Sequence, residues 1–250
     1  MASSIGIDLG SRTTKILQIS GDKITHSEIF DTGFEPLPRV KESLSKLDAD
    51  FITATGYGRH LLHEDLGARR VTEIKACARG VRRLHPACRT ILDVGGQDCK
   101  VVALDESGRM IDFEMNDRCA AGTGRFIEVM ARTLDLTLGE FIQMALSASE
   151  PVRISSMCTV FAESEVVSLI TSGKPRDAIT LGLHISVAER LSAMLSRLPV
   201  VYDILFVGGG AKNDCLHNQL EKKLSRTLYI PENPQILTAL GAALIGLEEA

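Results

Sequence analysis

The segment SIGIDLGSRTTKILQI, residues 4–19, has a counterpart in RTILDVGGQDCKVVAL, residues 89–104. Asp8–Lys15 and Asp93–Lys100 both obey D-[LV]-G-[SG]-x-x-x-K, and each follows a short apolar run. Each therefore reads as a strand ending on aspartate, a glycine turn and a returning strand. Backbone N–H groups around such a turn form a concavity that suits an oxyanion. Gly10, Gly95 and Gly96 let the backbone approach a phosphate with no Cβ in the way. Ser11, Thr13 and Thr14 add hydroxyl donors and Lys15 adds a positive charge. Asp8 and Asp93 stand where carboxylates hold the waters of Mg²⁺, a cation that prefers oxygen ligands and keeps much of its hydration. A lone D-x-G is most often a plain turn. The repetition, together with a third glycine turn in FVGGGAKN (206–213), points instead to a nucleotide, with two loops gripping a polyphosphate and the third carrying the nucleoside.

Outward from these turns the chain alternates strands and helices. Residues 4–9, 14–19 and the segment KITHSEIF read as strands, 36–47 as a helix, FITATGYG as a strand entering a glycine turn, and 71–84 as a helix ended by His85-Pro86. TILDV opens a second strand set, with a hairpin turning at Glu106-Ser107-Gly108. Helical patterns follow at 125–136, 138–146, 161–173 and 185–198, then a strand at DILFV, a helix at HNQLEKKL and a small-residue helix at the end. The expected class is α/β with mixed sheets flanked by helices in two lobes of similar design. Lobe I covers 1–87. Lobe II covers 88–250 and includes a final helix, 235–250, that packs back across a nucleotide cleft.

The chain has 250 residues, 44% apolar and 24% charged, with a formal net charge of −4. That balance carries no basic excess for nucleic acid or an acidic membrane. No uninterrupted apolar run approaches the ~18 residues of a spanning helix, and MASSIGIDLG lacks the marks of a signal peptide. The expected address is the cytoplasm. Six cysteines are many for a reducing compartment, and none forms a C-x-x-C knuckle.

Two cysteines lie in unusual surroundings: Cys119 in MNDRCAAGTGRF (115–126) and Cys158 in ISSMCTVFAESEV (154–166). Each precedes a helix pattern, and a helix N-terminus favours a thiolate. Two thiolates per chain are too few for a four-cysteine cluster, but a two-fold dimer would supply the other two. On chemistry alone a second reading stands beside this one: Cys119 as a turn residue of a nucleotide loop and Cys158 as a buried filler. Glu163 reads as a first-turn acid, and the six histidines as structural or solvated.

The three glycine turns and the terminal ALGAALIG resemble the actin-like (ribonuclease H-like) ATPases. MNDRCAAGTGRF and SSMCTVFAESEV, with ATGYGR (54–59) and DVGGQD, resemble the activator ATPases of 2-hydroxyacyl-CoA dehydratases, a family that includes ATPase components of benzoyl-CoA reductase and of double-cubane cluster proteins. The resemblance implies a homodimer whose subunits each give Cys119 and Cys158 to one bridging [4Fe–4S] cluster. It implies ATP/ADP contacts from Ser11, Arg12, Thr13, Thr14 and Lys15, from Gln97, from Gly208, Gly209 and Gly210, and from Gln235. Gln97 is the candidate for orienting the attacking water, with Asp8 and Asp93 on the Mg²⁺ side. The implied role is to take an electron from reduced ferredoxin or flavodoxin and pass it, with ATP hydrolysis, to an iron–sulfur dehydratase or reductase. Met157 departs from the family pattern, in which Thr is common, and bears on local packing. The rival expectations are a small-molecule kinase of the same superfamily with inert cysteines, and a nucleotide-dependent scaffold.

Overall fold

The computed structural model describes residues 2–156, 158–199 and 203–248. Packing divides the chain into two compact units. The first takes the residues up to Arg89, Leu104–Ile111 and those from Glu232 on; the second takes Thr90–Ala103 and Asp112–Pro231.

In chain order the first unit contains β1 (Ser3–Leu9), β2 (Thr13–Ser20), β3 (Lys23–Asp31), α1 (Pro36–Leu44), β4 (Phe51–Thr55), α2 (Arg59–Leu66), β5 (Arg69–Arg70) and α3 (Glu73–Leu84). Its sheet runs β3-β2-β1-β4-β5. β1 is antiparallel to β2 and parallel to β4, so it sits at the centre, and its run Ser4–Leu9 is buried throughout, as a strand covered on both faces requires.

The second sheet is built from β6 (Thr90–Val94), β7 (Cys99–Leu104), β8 (Met110–Asn116), β9 (Ile204–Val207) and β10 (Leu228–Tyr229), in the order β10-β9-β6-β7-β8. Its central strand is likewise antiparallel to the next strand and parallel to the one beyond the helices. The two sheets thus share one topology. Between β8 and β9 run α4 (Gly124–Thr133), α5 (Leu138–Ser147), α6 (Thr159–Thr171) and α7 (Arg176–Leu195). α8 (Asp214–Leu224) precedes β10, and α9 (Leu237–Glu248) ends the described chain.

α7 begins nine residues before the expected start at 185. Gly182 interrupts the apolar stripe there because its position faces the Val152 carbonyl oxygen, 1.9 Å from where a Cβ would stand. By length and composition α7 is apolar enough to cross a bilayer, yet 72% of its apolar window is buried inside the protein. Leu183, Val187 and Leu191 join Leu92, Val101, Phe126, Phe141 and Phe206 in the core of this unit.

One boundary is corrected. The sequence grouping 88–250 placed the last helix with lobe II, whereas α9 packs in the first unit, and its last two expected residues lie outside the described ones. Its small residues are the reason. A Cβ on Gly80 would stand 1.9 Å from the Leu237 carbonyl oxygen, and one on Gly241 would stand 1.7 Å from that of Ala76. Only two glycines allow α3 and α9 to approach this closely.

Candidate functional site

The repeated motif folds into the same hairpin in each unit. In the first, Asp8 faces Lys15 across one rung, the Gly10 N–H donates to the Thr13 carbonyl at 3.2 Å, and Lys15 Nζ lies 2.9 Å from Asp8 Oδ2. In the second, Asp93 faces Lys100 and the Gly95 N–H donates to the Asp98 carbonyl at 2.9 Å. Asp98 occupies the place of Thr13, and its carboxylate makes the difference. Lys100 Nζ lies 3.0 Å from Asp98 Oδ1 and 3.9 Å from Asp93 Oδ2, leaving its side chain 1% exposed against 14% for Lys15.

A second likeness emerges only in three dimensions. The strand beside each aspartate ends on a glycine with positive φ, Gly56 at 83° and Gly208 at 82°. A Cβ on Gly56 would lie 2.6 Å from Asp8 Oδ1, and one on Gly208 would lie 2.4 Å from Asp93 Oδ1. ATGYG (54–58) is therefore the first-unit counterpart of FVGGG (206–210). Both glycines adopt a backbone that side chains resist and shield the carboxylate of their own hairpin.

In the first unit the structure brings together Asp8, Gly10 and Lys15, with Ser11 and Thr13 half-buried and Arg12 exposed at the turn. Thr14 is fully buried. Its hydroxyl lies 3.0 Å from that of Thr32, which donates to the Gly10 carbonyl at 2.8 Å, so Thr14 braces the loop from behind. Gln235 sits in the turn ahead of α9, also in this unit. The second unit brings together Asp93, Gly95, Gly96, an exposed Gln97 and the Gly208–Gly210 turn, whose last two glycines open a 3₁₀ turn, Gly209–Lys212. Among the described residues, Asp8 Oδ1 and Asp98 Oδ2 are buried with no hydrogen-bond partner. Such orphaned carboxylate oxygens suit a hydrated cation or its waters. Asp98 was missed in the sequence, where only the first acid of each motif stood out.

The glycine turn of the second unit is anchored by a buried pair. His184 is fully buried on α7; its Nδ1–H donates to the Thr180 carbonyl at 2.8 Å, so Nε2 accepts from Asn213 Nδ2 at 3.0 Å. Asn213 Oδ1 in turn caps α8 by accepting from the Leu216 N–H. Burial pushes the His184 pKa down to about 4 against the hydrogen bonds that raise it.

The turn of the second hairpin also meets the helix beyond Cys119. The Gly124 N–H donates to the Gly95 carbonyl at 2.9 Å and the Arg125 N–H to that of Gly96 at 2.7 Å. These are amides of the first turn of α4, which have no partner within the helix. Cys119 itself stands five residues ahead of Gly124, in a turn rather than at the helix start, which corrects the sequence expectation. Gly122, at φ 87°, is the residue that lets the chain turn before α4 begins. Cys158 does meet the expectation: it is the N-cap of α6, exposed, with extended backbone. Met157 lies outside the described residues.

The six cysteines divide by environment. Cys119 is half-buried and Cys158 exposed, while Cys77, Cys88, Cys99 and Cys215 are buried. Burial pushes the thiols of Cys99 and Cys215 up to about 11, which makes them poor thiolate ligands. Among the described residues no three metal-ligating side chains cluster. A four-thiolate centre fits this donor set only if two copies each contribute two sulfurs. Around Cys158, Val160 and Phe161 are each 67% exposed, and Val167 and Ile170 are also open on α6. Glu163 is in the second turn of α6, not the first, and accepts from the Thr133 hydroxyl at 3.3 Å. Glu165 accepts from the Ser155 N–H and hydroxyl and from the Ser156 N–H; burial raises its pKa, but these donors outweigh it and hold the carboxyl below its usual range.

The BadF/BadG/BcrA/BcrD ATPase family matches this chain over residues 5–246. The chain belongs to that family. It is similar to the activator of lactoyl-CoA dehydratase from Anaerotignum propionicum, at 40% identity over 99% of this chain and 98% of the relative. The crystal structure of the Acidaminococcus fermentans (R)-2-hydroxyglutaryl-CoA dehydratase component A is similar at TM-score 0.93 and 35% identity, covering 100% of this chain and 99% of that one. The activator of the 2-hydroxyisocaproyl-CoA dehydratase from Clostridium difficile, solved with bound ADPNP, is similar at TM-score 0.91 and 38% identity, covering 99% and 95%. This BadF/BadG/BcrA/BcrD ATPase thus has the two-lobed actin-like fold.

Proposed function

We propose that this ATPase is a cytoplasmic single-electron donor that activates an iron–sulfur acceptor of the 2-hydroxyacyl-CoA dehydratase or benzoyl-CoA reductase kind, receiving its electrons from reduced ferredoxin or flavodoxin. The observation that carries the reading is the double hydrogen bond from Gly124 and Arg125 to the carbonyls of Gly95 and Gly96. It ties a nucleotide-binding loop to the element that follows a solvent-accessible cysteine. The link would carry a nucleotide-dependent movement of that loop to the Cys119 segment.

On this reading, Lys15 and the amides after Gly10 are the phosphate contacts of the first unit, and the amides around Gly95 and Gly96 are those of the second. The Gly208–Gly210 turn is the nucleoside contact of the second unit, and Gln235 is that of the first. Asp8 in the first unit, and Asp93 with the adjoining Asp98 in the second, would hold waters of Mg²⁺, and Gln97, exposed at the tip of its turn, would orient the attacking water as a positioned glutamine does in GTPases. A shift of Gly95 and Gly96 between ATP and ADP moves the first turn of α4 and, through it, the Cys119 turn.

Cys119 and Cys158, with the same pair from a second copy, would hold one [4Fe–4S] cluster, which would supply one-electron storage and transfer. The uncapped first turn of α6 behind Cys158 stabilises anionic ligands. The open apolar face of Val160, Phe161, Val167 and Ile170 supports association of two copies there.

The test is anaerobic reconstitution with iron and sulfide. The expected product is brown, with about four irons per dimer. Cys158→Ala should lose the iron and keep nucleotide binding. Undiminished iron in that variant would refute the ligand assignment.

A further inference from the structure

Both cysteines lie on irregular chain, and in each case one side chain does most of the holding. Cys119 falls in the connection between β8 and α4. Asn116, the last residue of β8, accepts from the Cys119 N–H through Oδ1 at 3.2 Å. Its Nδ2 donates to the Cys119 carbonyl at 2.8 Å and to the Ala121 carbonyl at 3.0 Å. Both backbone polar groups of Cys119 are thus bound by a single amide.

Cys158 follows the connection between α5 and α6. There the Glu165 carboxylate accepts from the Ser155 N–H at 2.8 Å, the Ser155 hydroxyl at 2.8 Å and the Ser156 N–H at 2.9 Å. Glu165 lies on the very helix that Cys158 caps. The approaching strap is therefore tied back to the helix it enters, and Cys158 sits at the closed end of the loop.

Neither set of bonds serves the core. Ser155 and Cys158 are exposed and Cys119 is only half-buried. Water would satisfy the same backbone groups without fixing where the sulfurs point. The donor types are specific as well. Two carbonyls and one N–H around residue 116 demand an amide, which a carboxylate cannot replace. Three donors around residue 165 demand a carboxylate, because an amide would set its own N–H groups against one of them.

We propose that Asn116 and Glu165 are positioning residues that fix the directions of the Cys119 and Cys158 sulfurs for metal ligation. The inference rests on the reading of these cysteines as ligands of a shared iron–sulfur centre. Neither residue touches the metal. Groups that orient ligands in this way typically govern metal affinity by about 10–100-fold.

The experiment uses the full chain, reconstituted anaerobically, with Glu165→Gln, Asn116→Asp and, as control, Glu163→Gln, which makes the same charge change on the same helix. Iron release to a chelator is followed by absorbance, alongside the electron paramagnetic resonance spectrum of the reduced centre, ADP affinity and thermal melting. Glu165→Gln and Asn116→Asp should release iron about 10–100-fold faster and show an altered spectrum. ADP affinity and the melting temperature should match wild type, and Glu163→Gln should behave as wild type throughout. Glu165→Gln changes a half-buried carboxylate outside the hydrophobic core and carries the test alone if Asn116→Asp does not fold. Wild-type release rates in Glu165→Gln overturn the proposal, as does a parallel loss of ADP affinity, which would mark a merely structural role. A wild-type protein that takes up no iron overturns the cluster reading itself and this inference with it.

Discussion

Asp8 and Lys15 face each other across one rung of a hairpin, 2.9 Å apart, with the lysine side chain 14% exposed. An ammonium so placed can reach a phosphate while its partner carboxylate keeps it oriented. Lys15→Ala should weaken ADP binding by about 10–100-fold, the worth of one or two charge-assisted hydrogen bonds. Calorimetric titration checks this; the melting temperature of the free protein should also fall, because the nearly buried Asp8 carboxylate loses its counter-ion. His184 sets a different kind of constraint. Its pKa falls from 6.5 to about 4 on folding because the ring is buried, which outweighs the bonds to Thr180 and Asn213 that raise it. Above pH 6.5 the ring is neutral in both states and its contribution is complete. As the pH drops toward 4 the unfolded chain takes up a proton that the folded chain refuses, so stability is lost at up to about 1.4 kcal/mol per pH unit. Urea midpoints measured from pH 7 to pH 4 should fall accordingly, and His184→Gln should flatten that slope.

At the scale of elements, what the sequence conveyed well was local. The hairpins at Asp8 and Asp93 announce themselves by glycine, acid and flanking apolar runs, and β1, β2, β6 and β7 fall where expected. The kinship of Gly56 with Gly208 does not, because it depends on parallel strands pairing at Asp8–Thr55 and Asp93–Val207, long-range registers that no local pattern contains. The membership of α9 eluded the sequence for the same reason: α3 and α9 recognise each other through backbone proximity at Gly80 and Gly241. Likewise, Cys119 looked like a helix-start residue because A-A-G-T-G continues smoothly into an apolar stripe, whereas Gly122 and the Asn116 bonds keep those residues in a turn. Gly241→Ala puts a Cβ against the Ala76 carbonyl and forces α3 and α9 apart. A loss of about 1–3 kcal/mol is expected from such overpacking, visible as a lower midpoint in urea unfolding.

For the molecule as a whole, the proposed assembly depends on the outward face of α6. Phe161 is 67% exposed beside Cys158 and does nothing for the core of its own chain. Phe161→Glu should leave nucleotide binding intact, convert the protein to monomers in light scattering and abolish retention of iron. Persistence of a dimer would move the interface elsewhere. At this scale the candidate site was only partly legible. Cys119 and Cys158 stand out by their neighbours in sequence, but Asn116 and Glu165, whose bonds hold the chain around them, are separated from the thiols by turns of unknown course.

The one-rung difference between the hairpins also has a chemical consequence. Thr13 in one copy is Asp98 in the other, and the extra carboxylate draws Lys100 inward until 1% of its side chain remains exposed. Acylating reagents should therefore label Lys15 and pass over Lys100. A mass spectrum of the modified protein would show two lysines of common design, one still answerable to the outside and one retired into the scaffold.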